Sequence, residues 1–344
     1  MIRFGWLQFR FQAAVALGVL AAAAVALGVT GAHLNYLYDS SGLAACAPHG
    51  DCAALTSALL ARLRGYGAFG MIYWGGIFAL YGVPVVIGTF WGAPLITREI
   101  EAGTLRLAWT QGVTRVRWLA VKLGLTGLAS MAAAGLLSLM VTWWASRVDP
   151  LDPYGMNRLQ PAMFGTRGIV PVGYAAFAFV LGVTAGLLIR NTVGAMAATP
   201  VILAVVEGAV IAWVRPHLIA PVRAVSPLNL ATVQDVGINV GPPASSGLFV
   251  DAAPPNPPGG WLYSSQVLSA ADRTSLGPEP RACAPGTGRA CLNALGRLHL
   301  QQAVTYQPAS RYWPLQWAEL SLFLALALVL AGFCFWWIRR RLPG

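Results

Sequence analysis

Charge is scarce in this chain. Only 10% of its 344 residues are charged, against roughly 25% in an ordinary soluble domain. Lysine is nearly missing, since Lys122 stands alone beside 22 arginines. A phosphate-binding loop needs Gly-Lys-Ser/Thr, and Lys122 lies between Val121 and Leu123, so a Walker A site is excluded. If ATP drives this protein, the ATPase is on another chain. The patterns H-E-x-x-H, G-x-S-x-G and G-x-G-x-x-G are also missing. The four histidines (His33, His49, His217, His299) do not cluster. No nucleophile and base converge in sequence, so the chain is expected to be no enzyme by itself. No cysteine pair has C-x-x-C spacing with a nearby histidine, so no metal site is expected.

What the chain has instead is apolar length. Hydrophobic residues make up 57% and mean hydropathy is +0.62. Six apolar runs stand out, at about Ala13–Leu34, Tyr66–Leu95, Trp118–Ser146, Val170–Ile189, Val193–Val214 and Leu315–Ile338. About 20 residues of helix cross ~30 Å of hydrocarbon. Within lipid, a helix is the form in which one segment satisfies its own backbone. The expected fold is an all-α polytopic membrane protein with six transmembrane helices. The first run has signal-peptide features, with Arg3 and Arg10 ahead of it and Thr30-Gly31-Ala32 near its end. Its apolar core of about 20 residues exceeds the usual 7–15, and it is read as an uncleaved span.

The net charge of +11 raises nucleic-acid binding, but the arginines are scattered or flank apolar runs, where they set membrane orientation. No nucleic-acid partner is expected. With the N-terminus inside, the short inner segments hold eleven positive residues in about fifty, and the outer segments hold twelve in about 150. Both ends are therefore expected on the cytoplasmic side of the membrane. Trp91, Trp118, Trp336 and Trp337 fall at inner edges, and Trp143, Trp144, Trp213, Trp313 and Trp317 at outer ones, the headgroup zones that indoles favour. The resulting order is 1–34 (N-terminus and first span), 35–65 (outer loop), 66–95 (second span), 96–117 (inner loop), 118–146 (third span), 147–169 (outer loop), 170–214 (fourth and fifth spans), 215–312 (outer loop domain) and 313–344 (sixth span and basic tail). The Pro- and Gly-rich first half of the outer loop domain is expected to lack regular structure. Its second half shows a helical spacing of Leu292, Leu295, Leu298 and Val304.

Cys46 and Cys52 share the first outer loop, and Cys283 and Cys291 share the third. Their short spacings point to two local disulfides in an oxidising compartment, with pairing between the loops and four free thiols as the other readings. Cys334 reads as an apolar filler. Glu207 lies mid-span, and Glu319 lies a turn or so inside the last span. Charge in hydrocarbon is expensive, so Glu207 must face protein or water, as a pathway-lining group or as a carboxylate hydrogen-bonded between helices. Glu319 is the second candidate pathway residue, with interfacial anchoring near Arg311 as the other reading. Gly88-x-x-x-Gly92 and Gly182-x-x-x-Gly186 allow close helix approach.

The sharpest pattern lies in the inner loop. Pro94 is expected to bend or end the second span. Gly103 permits a reversal and Thr104 a cap. Leu105, Leu107 and Trp109 offer apolar surface. Thr114 is placed to cap the third span, and Arg115, Arg117 and Lys122 stand near anionic headgroups.

This stretch resembles the permease subunits of type-2 (export) ATP-binding-cassette transporters, in particular an actinobacterial group. The likeness rests on Arg98-Glu99, Glu101-x-Gly103-Thr104, Trp109-Thr110-Gln111, Arg115-x-Arg117-Trp118 and Lys122. It extends to Tyr306-Gln307-Pro308-Ala309-Ser310-Arg311-Tyr312-Trp313-Pro314, Gln316-Trp317-x-Glu319, Trp336-Trp337 and Arg339–Arg341. The resemblance implies a cytoplasmic coupling helix that docks on a separate ATPase subunit, which would bind the ATP and Mg. Its expected contacts are Arg98, Glu99, Glu101, Gly103, Thr104, Leu105, Trp109, Gln111, Arg115 and Arg117. It also implies a second permease chain, as a homodimer or heterodimer, and export of a hydrophobic or amphipathic small molecule such as an antibiotic, drug or lipid. Two other readings stay open: a non-transporting sensor or scaffold using the outer domain, and a proton-coupled transporter using Glu207.

Overall fold

The computed structural model describes residues 2–46, 52–103, 114–228, 233–239, 247–252, 260–268 and 301–341. These form two compact units, 1–218 with 313–344, and 219–312.

The first unit is a helical bundle. It comprises α1 (Ile2–Ser40), α2 (Leu43–Cys46), α3 (Ala53–Gly65), α4 (Gly67–Val86), α5 (Pro94–Glu101), α6 (Arg115–Ala145), α7 (Pro161–Phe164), α8 (Val170–Ile189), α9 (Thr192–Ala209), α10 (Arg215–Leu218) and α11 (Tyr312–Arg341). Among the described residues, six helical stretches are long and apolar enough to cross a membrane: Arg10–Ser40, Gly67–Glu101, Arg115–Ala145, Val170–Ile189, Thr192–Leu218 and Ala309–Arg340. Several outrun the apolar runs. The second continues through Pro94, which sits at the start of α5, where a proline removes no helical hydrogen bond. The expected break there does not occur, and the helical stretch continues to Glu101. The first helix runs on to Ser40, and the segment expected as a loop to residue 65 contains α3. Cys46 and Cys52 form a disulfide between α2 and α3. Cys283 and Cys291 lie outside the described residues.

Burial ranks the helices. In α8, 78% of the apolar window is inside the bundle, against 6% for α1. α8 is the central post and α1 a peripheral strut. Close packing around the post comes from glycine. Gly88 and Gly92 occupy a wide π-turn (Ile87–Gly92) joining α4 to α5 and lie against Gly182 of α8, and Gly186 lies against Ala93 and Thr97 one turn further on. A Cβ on Gly88 would stand 2.7 Å from the Ala178 carbonyl oxygen, and one on Gly186 2.7 Å from that of Ala93. The two small-residue motifs read from sequence are thus the two halves of one seam, in which only hydrogen fits between backbones.

The second unit corrects the all-α expectation. Its strands are β1 (Val222–Pro227), β2 (Val233–Asn239), β3 (Gly247–Ala252), β4 (Trp261–Leu268) and β5 (Gln301–Gln307). They pair antiparallel, as a sheet of order β1-β5-β4 and a hairpin of β2 with β3. The Pro- and Gly-rich half is therefore strand-forming. Its prolines and glycines separate short β-branched and aromatic stretches that suit a pleated surface. Val304, expected on a helix, pairs with Ala224 and Ser265 in the centre of the sheet. Leu292, Leu295 and Leu298 lie outside the described residues.

Candidate functional site

Two polar constellations mark opposite ends of the helical stretches. The first is at the α5–α6 end. Gly103 has φ +66°, the left-handed geometry that glycine adopts without strain, and it turns the chain out of α5. Thr114 begins the return, its hydroxyl accepting from the Arg117 backbone N–H at 3.3 Å. Nearby, Arg190 (φ 56°) and Asn191 make the two-residue turn between α8 and α9. Asn191 caps α9 by accepting from Gly194 N–H at 2.8 Å. The Glu101 carboxylate joins the two turns. It accepts from the Thr192 backbone N–H at 2.8 Å and from the Thr192 hydroxyl at 2.7 Å. A carboxylate on the first turn of α9 also meets the positive end of that helix dipole. On the other side, Lys122 of α6 pairs with Glu99 and lies 4.8 Å from the Trp118 ring centroid. The C-terminal end of α5 is thereby tied to α6 through Glu99 and to α9 through Glu101.

Of the residues expected to contact an ATPase, Arg98, Glu99, Glu101, Gly103, Arg115 and Arg117 gather at this end. Thr104, Leu105, Trp109 and Gln111, and with them the expected coupling helix, lie outside the described residues.

The second constellation is buried at the α10 end. Glu319 of α11 is fully buried and takes both arms of the Arg215 guanidinium. Arg215 Nε donates to Oε2 at 2.7 Å, and Nη2 to Oε1 at 2.8 Å. The Tyr174 hydroxyl of α8 donates to Glu319 Oε1 at 2.6 Å and accepts from Arg215 Nη2 at 3.1 Å. Arg215 Nη1 also reaches the Pro161 carbonyl at 3.4 Å, and its guanidinium lies 4.6 Å from the centroid of the Phe164 ring. Bidentate geometry with further hydrogen bonds is what a buried ion pair needs to offset its desolvation.

Arg215 reaches this position through a backbone device. The buried stripe runs Thr199, Leu203 and Glu207 in α9 and on to Val210, in helical steps of four, four and three. The next buried residue is Arg215, five positions on, across a π-turn at Val210–Val214. One extra residue in the turn rotates Arg215 back onto the inward face. Glu319 was expected near Arg311, but Arg311 instead bonds to Gln307 and to the Ala220 carbonyl. Placing 215 at the head of a loop domain missed the partner. The available signal was two carboxylates in apolar runs, where a buried charge calls for a partner. Glu207 itself is 9% exposed, with Oε1 lacking a hydrogen-bond partner among the described residues.

The segment between α6 and α8 packs inward as well. Arg167, 1% exposed, pairs with Asp149 at 3.0 Å, and its guanidinium lies 5.6 Å from the Tyr73 ring centroid. Gln316 of α11 caps α8, accepting from Ile169 and Val170 N–H at 3.0 and 3.1 Å, and its amide donates to the Phe164 carbonyl at 3.0 Å.

Residues 17–215, more than half of the chain, match the family described as ABC-2 membrane transporter related. No curated protein matches the chain, and no solved structure does. That family is generally a non-catalytic membrane component. Six spanning helices packed around one buried post agree with that assignment. The chain belongs to the ABC-2 family of membrane transporter proteins and is a multi-pass membrane protein.

Proposed function

We propose that this chain is the permease subunit of an ATP-driven exporter. It pairs with a second permease chain and takes its energy from a separate ATPase. The loop 102–114 is the docking handle, and the face it occupies is cytoplasmic. The charge distribution supports that orientation, more so because Arg167 and Arg215, counted with the outer loops in sequence, are paired inside the bundle. The cargo is a hydrophobic or amphipathic small molecule.

The observation that carries this reading is the bridge from Glu101 to the first residue of α9. A force on the end of α5 reaches α9 through Glu101 and α6 through Glu99. Closure of the ATPases moves the handles, and the bundles pass between inward-open and outward-open forms, each with its own affinity for cargo. In the purified complex, Glu101→Arg and Gly103→Pro should abolish transport and uncouple ATP hydrolysis from cargo while the chain still inserts. The assignment fails if neither change alters ATPase association or turnover.

The unpartnered oxygen of Glu207 favours a second reading, proton-coupled transport by a buried carboxylate. Transport that follows the proton gradient without ATP would select it.

A further inference from the structure

Beside the Glu99–Lys122 pair lies a cavity of about 220 Å³, walled by α1, the α4–α5 junction and α6. It is smaller than the roughly 300–1,000 Å³ of pockets that take a whole drug-sized ligand. Its lining is mixed, with apolar Trp91, Leu95 and Leu125 beside polar Gln12, Arg98 and Lys122. The Gln12 side-chain amide donates to the Phe90 carbonyl at 3.2 Å, which ties α1 to the π-turn beside the cavity. The charges do not cancel. Glu99 and Lys122 neutralise each other as an ion pair. Arg98 is exposed and has no ion-pair partner among the described residues. One uncompensated guanidinium therefore faces a small cavity with apolar walls, at the depth where indoles sit.

We infer that this cavity is a lipid site, which takes the phosphodiester of one monoanionic phospholipid on Arg98 and lays the start of an acyl chain along Leu95 and Leu125. The volume fits a headgroup and not a whole drug. The single net positive charge fits a single negative one. A guanidinium binds a phosphate in bidentate fashion and is weakly hydrated, so little is lost on transfer to an apolar wall. A basic pocket between helices at one face of a bilayer is a recurrent setting for anionic headgroups. The inference rests on the membrane assignment and on the cavity, and it does not require the ATPase partner.

The test is native mass spectrometry of the full chain, purified in detergent and titrated with phosphatidylglycerol or phosphatidylcholine. One phosphatidylglycerol per chain should be retained preferentially. Arg98→Gln should weaken that retention about tenfold or more, the scale of a lost charge-assisted hydrogen bond. Leu125→Trp, which fills the cavity from its apolar side, should weaken it without touching any charge. Tryptophan fluorescence and gel filtration check that both variants fold. Equal retention of the two lipids, or undiminished retention by both variants, overturns the proposal. Displacement by soluble glycerol phosphate at equal concentration overturns it too, since the site would then belong to a soluble phosphate. Arg98 is also a proposed ATPase contact, and Leu125 is not. Loss of lipid in Leu125→Trp with ATPase association intact therefore separates this inference from the coupling reading.

Discussion

Replacing Glu319 by leucine should strand the Arg215 guanidinium inside the bundle. Arg215 would keep the Tyr174 hydroxyl at 3.1 Å and the Pro161 carbonyl at 3.4 Å, but no hydrogen-bonded carboxylate. Removing one partner of a buried ion pair costs about 3–5 kcal/mol, and the Tyr174 hydroxyl loses its acceptor as well. For a helical body of this size each kcal/mol moves the unfolding midpoint by roughly 2–4 °C, so the expected loss is ~10 °C. The triple replacement Arg215→Met, Glu319→Leu, Tyr174→Phe removes the charge, its partner and the dependent hydroxyl together. It should recover most of the loss, because buried ion pairs replaced by apolar groups of similar volume are often near neutral. Thermal unfolding of the detergent-purified chain, followed by tryptophan fluorescence, reads both values. If the triple variant unfolds as early as Glu319→Leu alone, the burden is not an orphaned charge and the reasoning fails.

Two further outcomes follow from the structure. Gly186→Ala should destabilise the bundle by about 1–3 kcal/mol through overpacking of the α8 seam, whereas Gly124→Ala, with nothing within 4 Å of its Cβ, should not. The same melting assay compares them, and equal midpoints would dissolve the seam. Burial raises the Asp152 carboxyl above its ordinary 3.8, against a lowering hydrogen bond from the Met156 backbone. A carboxyl raised in the fold binds its proton more tightly there than in the unfolded chain. Its contribution is therefore fully present below pH 3.8 and is lost as pH rises through the folded value. Asp152→Asn should accordingly leave stability unchanged below that window and increase it at neutral pH. The residue has φ 51°, a left-handed position that asparagine tolerates. Midpoints measured across pH 3 to 8 decide it, and a variant less stable than the parent at pH 7 would refute the sign.

Much of this protein is legible without coordinates. Hydropathy over about 20 residues finds all six spans, because a bilayer imposes a length and a backbone solution that no tertiary contact overrides. Turn and cap chemistry is equally local, so Gly103 and Thr114 behave as their types and positions predict. The paired cysteines at 46 and 52 belong here too, since six positions of separation make their meeting a local event.

The strands of 219–312 were harder to foresee. β5 pairs with β1 about eighty positions earlier, and no periodicity records such a partnership. Glu319 illustrates the same limit. Its partner Arg215 is 104 positions away and reaches it only because a π-turn shifts the α9 register by one residue. Glu101 meeting Thr192 and Gly88 facing α8 have the same origin. Lipid solvates a helix whichever neighbour it has, so apolar pattern sets how many helices cross. Which of them touch is set by a few polar side chains and glycines, whose partners are found once the bundle packs.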